Sequence, residues 1–252
     1  MTTDGKASPA LLIAGYWLGA WAWDEVTKHL TDRGCRALPI TLPGLDPTDP
    51  QRASRTLNDQ ARAIEEAMAP MAERDAEPVV IVAHSGANGP VTMVLDRHPE
   101  LVRRVVWVDT GPVAAGTAFA PDSPETLREL PLPPFEELGT YASLDGLSPE
   151  VLERFRARAV PEPGPVVREP VPLSNEARLQ IPATFVCCSI TSAQLMELAN
   201  GGHSLFAEVA RLHRVQLVDL PTGHWPMWSR PGDLADIISH ATGTRRTETE
   251  PS

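Results

Sequence analysis

The sequence predicts an α/β protein with a doubly wound, mostly parallel sheet of about six strands. Six short apolar runs are continuous rather than alternating, which is typical of strands buried on both faces of a sheet. Stretches with helical periodicity separate most of these runs, as in βαβ units. Strands are predicted at residues 11–14, 37–40, 79–83, 105–108, 184–188 and 215–220, and helices at residues 23–33, 57–68, 90–97, 205–212 and 233–240.

Composition indicates a single soluble domain with a sizeable core. The chain has 252 residues, of which 42% are hydrophobic and 22% are charged. Its formal net charge of −11 argues against nucleic acid or an anionic membrane as a partner. No apolar run approaches the ~18 residues that a membrane span requires. Residues 1–9 contain no signal-peptide pattern, and the three cysteines have no zinc-binding spacing, so we expect a cytoplasmic location with reduced thiols.

One stretch interrupts the alternation of strands and helices. Residues 112–182 contain 13 of the 26 prolines, a short helical pattern at residues 149–158 and no convincing strand. Because so long a structureless linker is unusual inside a compact domain, we predict a helical cap over the carboxyl edge of the sheet. The core is then residues 1–111 and 183–243, and residues 244–252 form a disordered tail. Residues 161–165 (PEPGP) are expected to be the most mobile part of the cap.

The segment Ala83-His84-Ser85-Gly86-Ala87 is the strongest functional signal in the chain. It joins a predicted strand to a predicted helix, the setting in which a sharp turn exposes a nucleophilic serine. Such a turn requires small residues two positions before and after the serine, and alanine fills both positions here. Without this setting, a serine among small residues is usually only part of a turn. The pattern therefore favours Ser85 as a nucleophile.

A nucleophilic serine requires a base, and His224 is the best candidate. It follows the last predicted strand and precedes the final helix, in the chain order Ser, acid, His that α/β-hydrolases use. His203, in a predicted loop, is the one serious rival. His84 adjoins the serine and cannot easily face back onto its hydroxyl. The remaining histidines lie in helical or helix-end contexts: His29, His98, His213 and His240.

Three segments resemble the α/β-hydrolases, in particular plant methylesterases, hydroxynitrile lyases and related bacterial esterases. They are AGYWLGAWAW at residues 14–23, LPG at residues 42–44 and HWPM at residues 224–227. The resemblance implies a serine hydrolase whose oxyanion hole is formed by the N–H groups of Tyr16 and Gly86. Ala14 departs from the family pattern, because the family usually has a histidine before the glycine, and that histidine braces the oxyanion loop.

The acid of the proposed triad is less obvious from the sequence. Relatives usually carry it after the strand at residues 184–188, but here no carboxylate follows until Glu197. Asp109 ends the preceding strand, and some α/β-hydrolases place their acid there. A strand-end aspartate can also simply cap a turn. Asp219 ends a strand as well, but its closeness to the histidine loop suggests a structural role. We therefore predict Asp109 as the acid.

These residues together predict a carboxylic ester, lactone or thioester hydrolase that forms an acyl-enzyme on Ser85. Trp17, His84 and Trp225 are expected to line a pocket for a small hydrophobic ester-like substrate. No metal or other cofactor is required. The sequence leaves the oligomeric state and the substrate open.

Two other functions remain open. A lyase or C–C bond-cleaving enzyme could use the same serine and histidine, although a cyanide-type lyase needs a nearby cation and the chain's lysines are Lys6 and Lys28. A non-catalytic small-molecule receptor is the other alternative, since this type of fold also serves that role. Serine at position 85 disfavours dehalogenases and epoxide hydrolases, whose nucleophile is a carboxylate.

Overall fold

The computed structural model describes residues 7–244. The strands in this range are β1 (Ala10–Ile13), β2 (Ala37–Ile40), β3 (Val79–His84), β4 (Val102–Val108), β5 (Glu129–Leu130), β6 (Glu162–Pro163), β7 (Ala183–Cys187) and β8 (Val215–Asp219). The α-helices are α1 (Asp24–Asp32), α2 (Leu57–Asp75), α3 (Asn88–Arg97), α4 (Phe135–Leu138), α5 (Pro149–Arg158), α6 (Gly164–Arg168), α7 (Ser192–Asn200), α8 (Pro226–Ser229) and α9 (Pro231–Thr242).

Six parallel strands form the main sheet in the order β2-β1-β3-β4-β7-β8. The α/β class and the doubly wound sheet of six strands predicted from the sequence are therefore confirmed. The chain runs outward in one direction from β1 and in the other from β3, so the strand order reverses between them. In open α/β sheets, ligands bind at the carboxyl ends of the strands beside such a reversal. The loops after β1 and β3 meet at this point.

The central strands are buried on both faces, as continuous apolar runs predict, and two hydrophobic clusters cover the faces of the sheet. The edge strand β8 is different. Val215 and Leu217 are each 36% exposed, so the prediction of a strand covered on both faces is wrong for β8, as it is for the opposite edge strand β2, where Leu38 is 41% exposed. An edge strand has one hydrogen-bonded neighbour, and here the surrounding helices leave much of its surface open.

The segment between β4 and β7 contains short helices and a small antiparallel pair, β5 and β6. The sequence indicated no strand there, because two-residue strands carry no periodicity. The expected mobility of residues 161–165 stays a prediction, but the packing of this segment argues against it. Glu162 is fully buried. Pro163 lies so close to Gly44 that a Cβ built on Gly44 would be 2.3 Å from the proline ring. The proline-rich composition predicted a mobile segment, whereas the structure has a buried contact there.

Residues 205–212 do not form the predicted α-helix. They contain turns and one 3-10 turn at Val209–Arg211, and the apolar side chain of Leu205 is 66% exposed. The helical spacing of the apolar residues was therefore misleading. Residues 245–252 of the predicted tail lie outside the described range. None of the helices within residues 7–244 is long and apolar enough to cross a membrane.

Candidate active site

Ser85 lies on the sharp turn between β3 and α3. Its φ is +51°, a left-handed conformation that non-glycine residues rarely adopt. Ala83 and Ala87 beside it are almost completely buried, which explains why the turn requires small residues. The Thr110 hydroxyl donates to the Ser85 carbonyl at 3.1 Å and holds the turn against the end of β4. The strained serine therefore has a fixed backbone.

Three side chains form a hydrogen-bonded chain at the carboxyl edge of the sheet. His224 Nε2 lies 2.7 Å from Ser85 Oγ, and His224 Nδ1 lies 2.6 Å from Asp109 Oδ2. The His224 N–H donates to the Ser143 carbonyl at 2.7 Å, which ties the loop after β8 to the segment between β4 and β7. The contact between Asp109 and His224 that the sequence predicted is present. This arrangement can pass a proton between serine and histidine.

Asp109 ends β4 and reaches across to the end of β7. Its φ is +48°, and its N–H donates to the Val186 carbonyl at 2.9 Å. Oδ1 accepts the N–H groups of Cys188 and Ser189 at 3.1 and 2.9 Å, and Oδ2 accepts the Ser189 hydroxyl as well as His224. Burial works to raise the pKa of Asp109, but the hydrogen bonds and charge of its partners outweigh it and lower the pKa to about 2.

The other candidate acids and bases lie elsewhere. Asp219 accepts the N–H and the hydroxyl of Ser192 at 2.6 and 2.8 Å, which caps α7 and agrees with a structural role. Glu197 is exposed on α7 and lines neither cavity described below. His203 is exposed and accepts the Leu205 N–H at 3.3 Å.

The loop after β1 lies directly against the Ser85 turn. A Cβ on Gly15 would be 2.6 Å from the Ser85 Cβ and 2.9 Å from the Gly86 nitrogen, so only glycine permits this approach. Tyr16 follows, and its ring packs against the Cα of Gly86. Backbone donors on two touching loops beside a serine are the arrangement that an oxyanion hole requires. Burial, followed by the charge of Glu162, raises the pKa of the Tyr16 phenol.

His84 is buried and joins the loop after β1 to the His224 loop. Its Nδ1 accepts the Gly15 N–H at 3.4 Å, and its Nε2 donates to the His224 carbonyl at 2.8 Å. Burial, followed by the nearby His224, lowers the pKa of His84 to about 3. The neutral ring thus has one donor and one acceptor, and both are used. His84 therefore braces the loop after β1, and it also contributes to the lining of the cleft described below, so its expected contact with substrate stays a prediction.

Trp17 is held by the segment between β4 and β7. Its φ is +66°, its indole N–H donates to the Leu130 carbonyl at 3.0 Å, and its carbonyl accepts the Val160 N–H at 3.0 Å. The Trp17 N–H lies 3.4 Å from Glu162 Oε2. The Trp17 ring also lines the cleft described below. The shape of the loop that carries Tyr16 therefore depends on residues far away in the sequence.

Glu162 is a fully buried carboxylate beside this loop. Its Oε1 accepts the Gln60 amide at 2.9 Å, and within residues 7–244 it has no ion-pair partner. Burial is the dominant effect and raises the pKa of Glu162 to about 7. The folded protein therefore retains a proton that the unfolded chain releases near pH 4.5.

We expect the Glu162→Gln variant to show a flatter pH dependence of stability than the wild type. Between pH 4.5 and about 7 the folded state binds more protons than the unfolded state, so the free energy of unfolding falls as pH rises through this window. The full effect is roughly 3 kcal/mol. Urea titrations of both proteins from pH 5 to 8 measure the difference. Parallel curves would mean that Glu162 is ionised throughout.

Two cavities with overlapping linings lie beside His224. The first, of about 370 Å³, is lined by Tyr16, Ser85 and Gly86 among others. The second, of about 290 Å³, is lined by His224 and Asp109 but not by Ser85 or the Tyr16 loop. We call them the serine chamber and the histidine chamber. They share Thr110 and His224 in their lining, so the histidine lies at their junction.

The walls of the cleft are mostly apolar. Trp225 lines the serine chamber and meets the His224 ring edge-on, with centroids 4.9 Å apart. Phe119, Tyr141 and Leu205 line the cleft and are 53%, 60% and 66% exposed, so aromatic and aliphatic groups surround its mouth. Among the residues that line either chamber there is no lysine or arginine. Within the described residues, no cluster of His, Cys, Asp and Glu could hold a metal ion.

Sequence reasoning missed Ser189, Thr110, Glu162 and Glu169. Ser189 occupies the position after β7 where relatives carry their acid. The absence of a carboxylate at this position itself indicated that an acid from elsewhere in the chain reaches it. Thr110 directly follows Asp109. Glu162 and Glu169 lie in proline-rich sequence, where no pattern distinguishes a buried carboxylate from a solvated one.

Comparison with known proteins agrees with this architecture. Residues 10–237 match the model of the alpha/beta hydrolase family. The chain is 25% identical to a probable hydrolase from Phoma sp. over 248 residues, which cover 92% of this chain and 97% of that protein. It is 28% identical to methylesterase 18 of Arabidopsis thaliana over 122 residues, which cover 48% of this chain and 44% of the methylesterase.

A solved structure with a similar fold is an extracellular alpha/beta-hydrolase from a Paenibacillus species, described as sharing homology with tobacco salicylic acid binding protein 2. The TM-score is 0.71 at 18% identity, and the match covers 93% of this chain and 98% of the other. At that identity the likeness shows the fold alone. The family match covers most of the chain and includes both loops that meet at Ser85, so the chain belongs to the alpha/beta hydrolase family.

Proposed function

We propose that the protein is a serine esterase that forms an acyl-enzyme on Ser85. The observation that carries this proposal is the chain of hydrogen bonds from Ser85 Oγ through His224 to Asp109, at 2.7 and 2.6 Å. The ionised Asp109 carboxylate accepts a hydrogen bond from His224 Nδ1–H, which fixes the tautomer and leaves Nε2 free to act as a base. Methylesterase and hydrolase relatives support the same class of reaction.

The reaction proceeds in two halves. Ser85 Oγ attacks the ester carbonyl while His224 Nε2 takes the hydroxyl proton, and the N–H groups of Tyr16 and Gly86 stabilise the oxyanion. The C–O bond then breaks, and the leaving alcohol takes the proton from His224. In the second half, water loses a proton to His224 and attacks the acyl group. The carboxylic acid departs, and the proton returns to Ser85.

The two chambers suggest where each part of the ester binds. The carbonyl oxygen must lie near Tyr16 and Gly86, which line the serine chamber. The departing oxygen must lie near His224, which lines both chambers, so the histidine chamber, which Ser85 does not line, is the space left for the alcohol. The acyl group then occupies the serine chamber and the alcohol occupies the histidine chamber. Both are large and apolar enough for more than a methyl group, which favours esters with a bulky group on either side.

The alternatives fit the site less well. A lyase that releases an anion needs a cation to stabilise it, and neither chamber has a lysine or arginine in its lining. A receptor requires a pocket but not a base hydrogen-bonded to a strained serine, so the contact between Ser85 and His224 argues for catalysis.

The proposal is tested with a fluorophosphonate probe and a pair of esters. We expect the probe to add to Ser85, located by peptide mass spectrometry, and p-nitrophenyl esters to give a burst of p-nitrophenol from acyl-enzyme formation. We expect a benzyl ester to have a higher kcat/KM than the methyl ester of the same acid, because benzyl alcohol fills the histidine chamber. A protein that neither reacts with the probe nor cleaves esters would be a binder.

A further inference from the structure

Glu169 is a carboxylate at one side of the serine chamber whose role the triad does not explain. It follows α6 and lies beside Leu57, Val166 and Val171, which line the same chamber. Its Oε2 accepts the N–H of Leu57, the first residue of α2, at 2.9 Å. No hydrogen bond or ion pair from residues 7–244 engages its Oε1. One carboxylate oxygen is thus committed to the helix and the other is open.

The N-terminus of α2 offsets part of the charge of Glu169 through the Leu57 N–H, but no cationic side chain in the described lining of the chamber does so. The chamber lining contains no lysine or arginine, and burial lowers the pKa of His84 to about 3, so that ring is neutral. Gly89 forms part of the wall next to Leu57 and Val171, and a Cβ there would touch both at 3.5 and 3.6 Å. The missing side chain leaves the space beside these two residues open to a ligand.

A carboxylate accepts hydrogen bonds and donates none, so its ligand must be a donor. A hydroxyl satisfies this need, but a cation also gains from the negative charge, and hydrogen bonds between charged groups are about twice as strong as neutral ones. The net charge of −11 favours the approach of cations as well. A substrate with a carboxylate tail would be repelled by Glu169.

We propose that the serine chamber takes an acyl group whose far end carries an ammonium, bound by Glu169. This rests on the proposed function, since Ser85 fixes the carbonyl end of the acyl group. The substrate class is therefore an ester of an amphiphilic acid, with an apolar chain between the carbonyl and a cationic nitrogen. Glu169 acts as a specificity residue that binds substrate without taking part in the proton transfers.

The test compares p-nitrophenyl esters whose acyl chains have equal length and end in a methyl, hydroxyl or ammonium group, over several chain lengths. In the wild type, the ratio of kcat/KM for the ammonium ester to that for the methyl ester should peak at one length. In Glu169→Gln this ratio should fall roughly 10- to 100-fold, as expected for loss of a hydrogen bond to a charged group. Glutamine can still accept the Leu57 N–H, so α2 remains capped.

The control is Glu153→Gln, which removes an exposed carboxylate on α5 and should leave the ratio unchanged. An unchanged ratio in Glu169→Gln would overturn the inference and leave Glu169 as a helix cap only. Failure of the wild type to cleave even the methyl-ended ester would instead contradict the proposed function. If Glu169→Gln does not fold, the inference is tested by inhibition of ester hydrolysis in the wild type. Alkylammonium ions should inhibit more strongly than alkanols of equal length. Equal or weaker inhibition by the ammonium ions would overturn the inference.

Discussion

Replacing Ser85 with alanine is expected to reduce kcat for activated esters by roughly 10⁴- to 10⁶-fold, because the acyl-enzyme has no oxygen on which to form. Alanine keeps the Cβ that the turn already accommodates at φ +51°, so the fold should persist. The loss should appear in kcat, with little change in KM, since the chambers are unaltered. The measurement is steady-state hydrolysis of a p-nitrophenyl ester, together with loss of fluorophosphonate labelling.

Ser123→Ala is a matched control, since it removes a hydroxyl from a loop outside both chambers. Its kcat should equal that of the wild type. The thermal midpoint of Ser85→Ala should stay close to the wild-type value, because alanine keeps the Cβ and the φ of the turn and loses only the hydroxyl contact with His224. Retention of more than a small fraction of wild-type kcat would mean that another residue is the nucleophile.

The sheet could be predicted from the sequence because its signals are local. Runs such as VVIV at residues 79–82 are short, apolar and rich in β-branched residues, which favours a buried strand, and the helices between them have ordinary amphipathic spacing. The same reasoning failed at residues 205–212, where apolar residues line a cleft instead of a helix face. The spacing of apolar residues indicates that their side chains avoid water, but it does not show which part of the protein they pack against.

The triad contact could be predicted because parallel strands end at a common edge. Ser85, Asp109 and His224 each follow a strand, and the sheet brings the three ends together. Their roles remain part of the proposal. The support around them could not be predicted, since it comes from residues distant in sequence. Glu162 reaches the loop after β1 across 145 positions, and nothing in a proline-rich stretch marks it as buried.

The bracing role of His84 could not be predicted for the same reason. His84 lines the cleft beside Ser85, and both of its ring nitrogens are engaged, one by the Gly15 N–H and the other by the His224 carbonyl. Because those partners lie 69 and 140 positions away, only the folded chain reveals the brace.

Asp109→Asn is expected to lower kcat by roughly 10³- to 10⁴-fold while preserving the fold. The reason is that Oδ1 and Oδ2 of Asp109 have different hydrogen-bond partners. Asp109 Oδ1 accepts two backbone N–H groups from Cys188 and Ser189, so the amide oxygen of asparagine must occupy that position. The amide nitrogen then takes the place of Oδ2 and presents a donor to His224 Nδ1. The ring is forced into the tautomer with a proton on Nε2, which cannot accept the proton of Ser85.

This result separates an orienting acid from a turn cap. If Asp109 only fixed the ends of β4 and β7, asparagine would keep the two backbone bonds, and activity would change little. Glu197→Gln, which neutralises the first carboxylate after β7, should leave kcat within about twofold of the wild type, because Glu197 lies in neither chamber lining. Ester hydrolysis by the two variants, with near-ultraviolet circular dichroism to verify the fold, measures the difference. Equal kcat values would exclude Asp109 as the residue that orients His224, and the acid would then have to be another group.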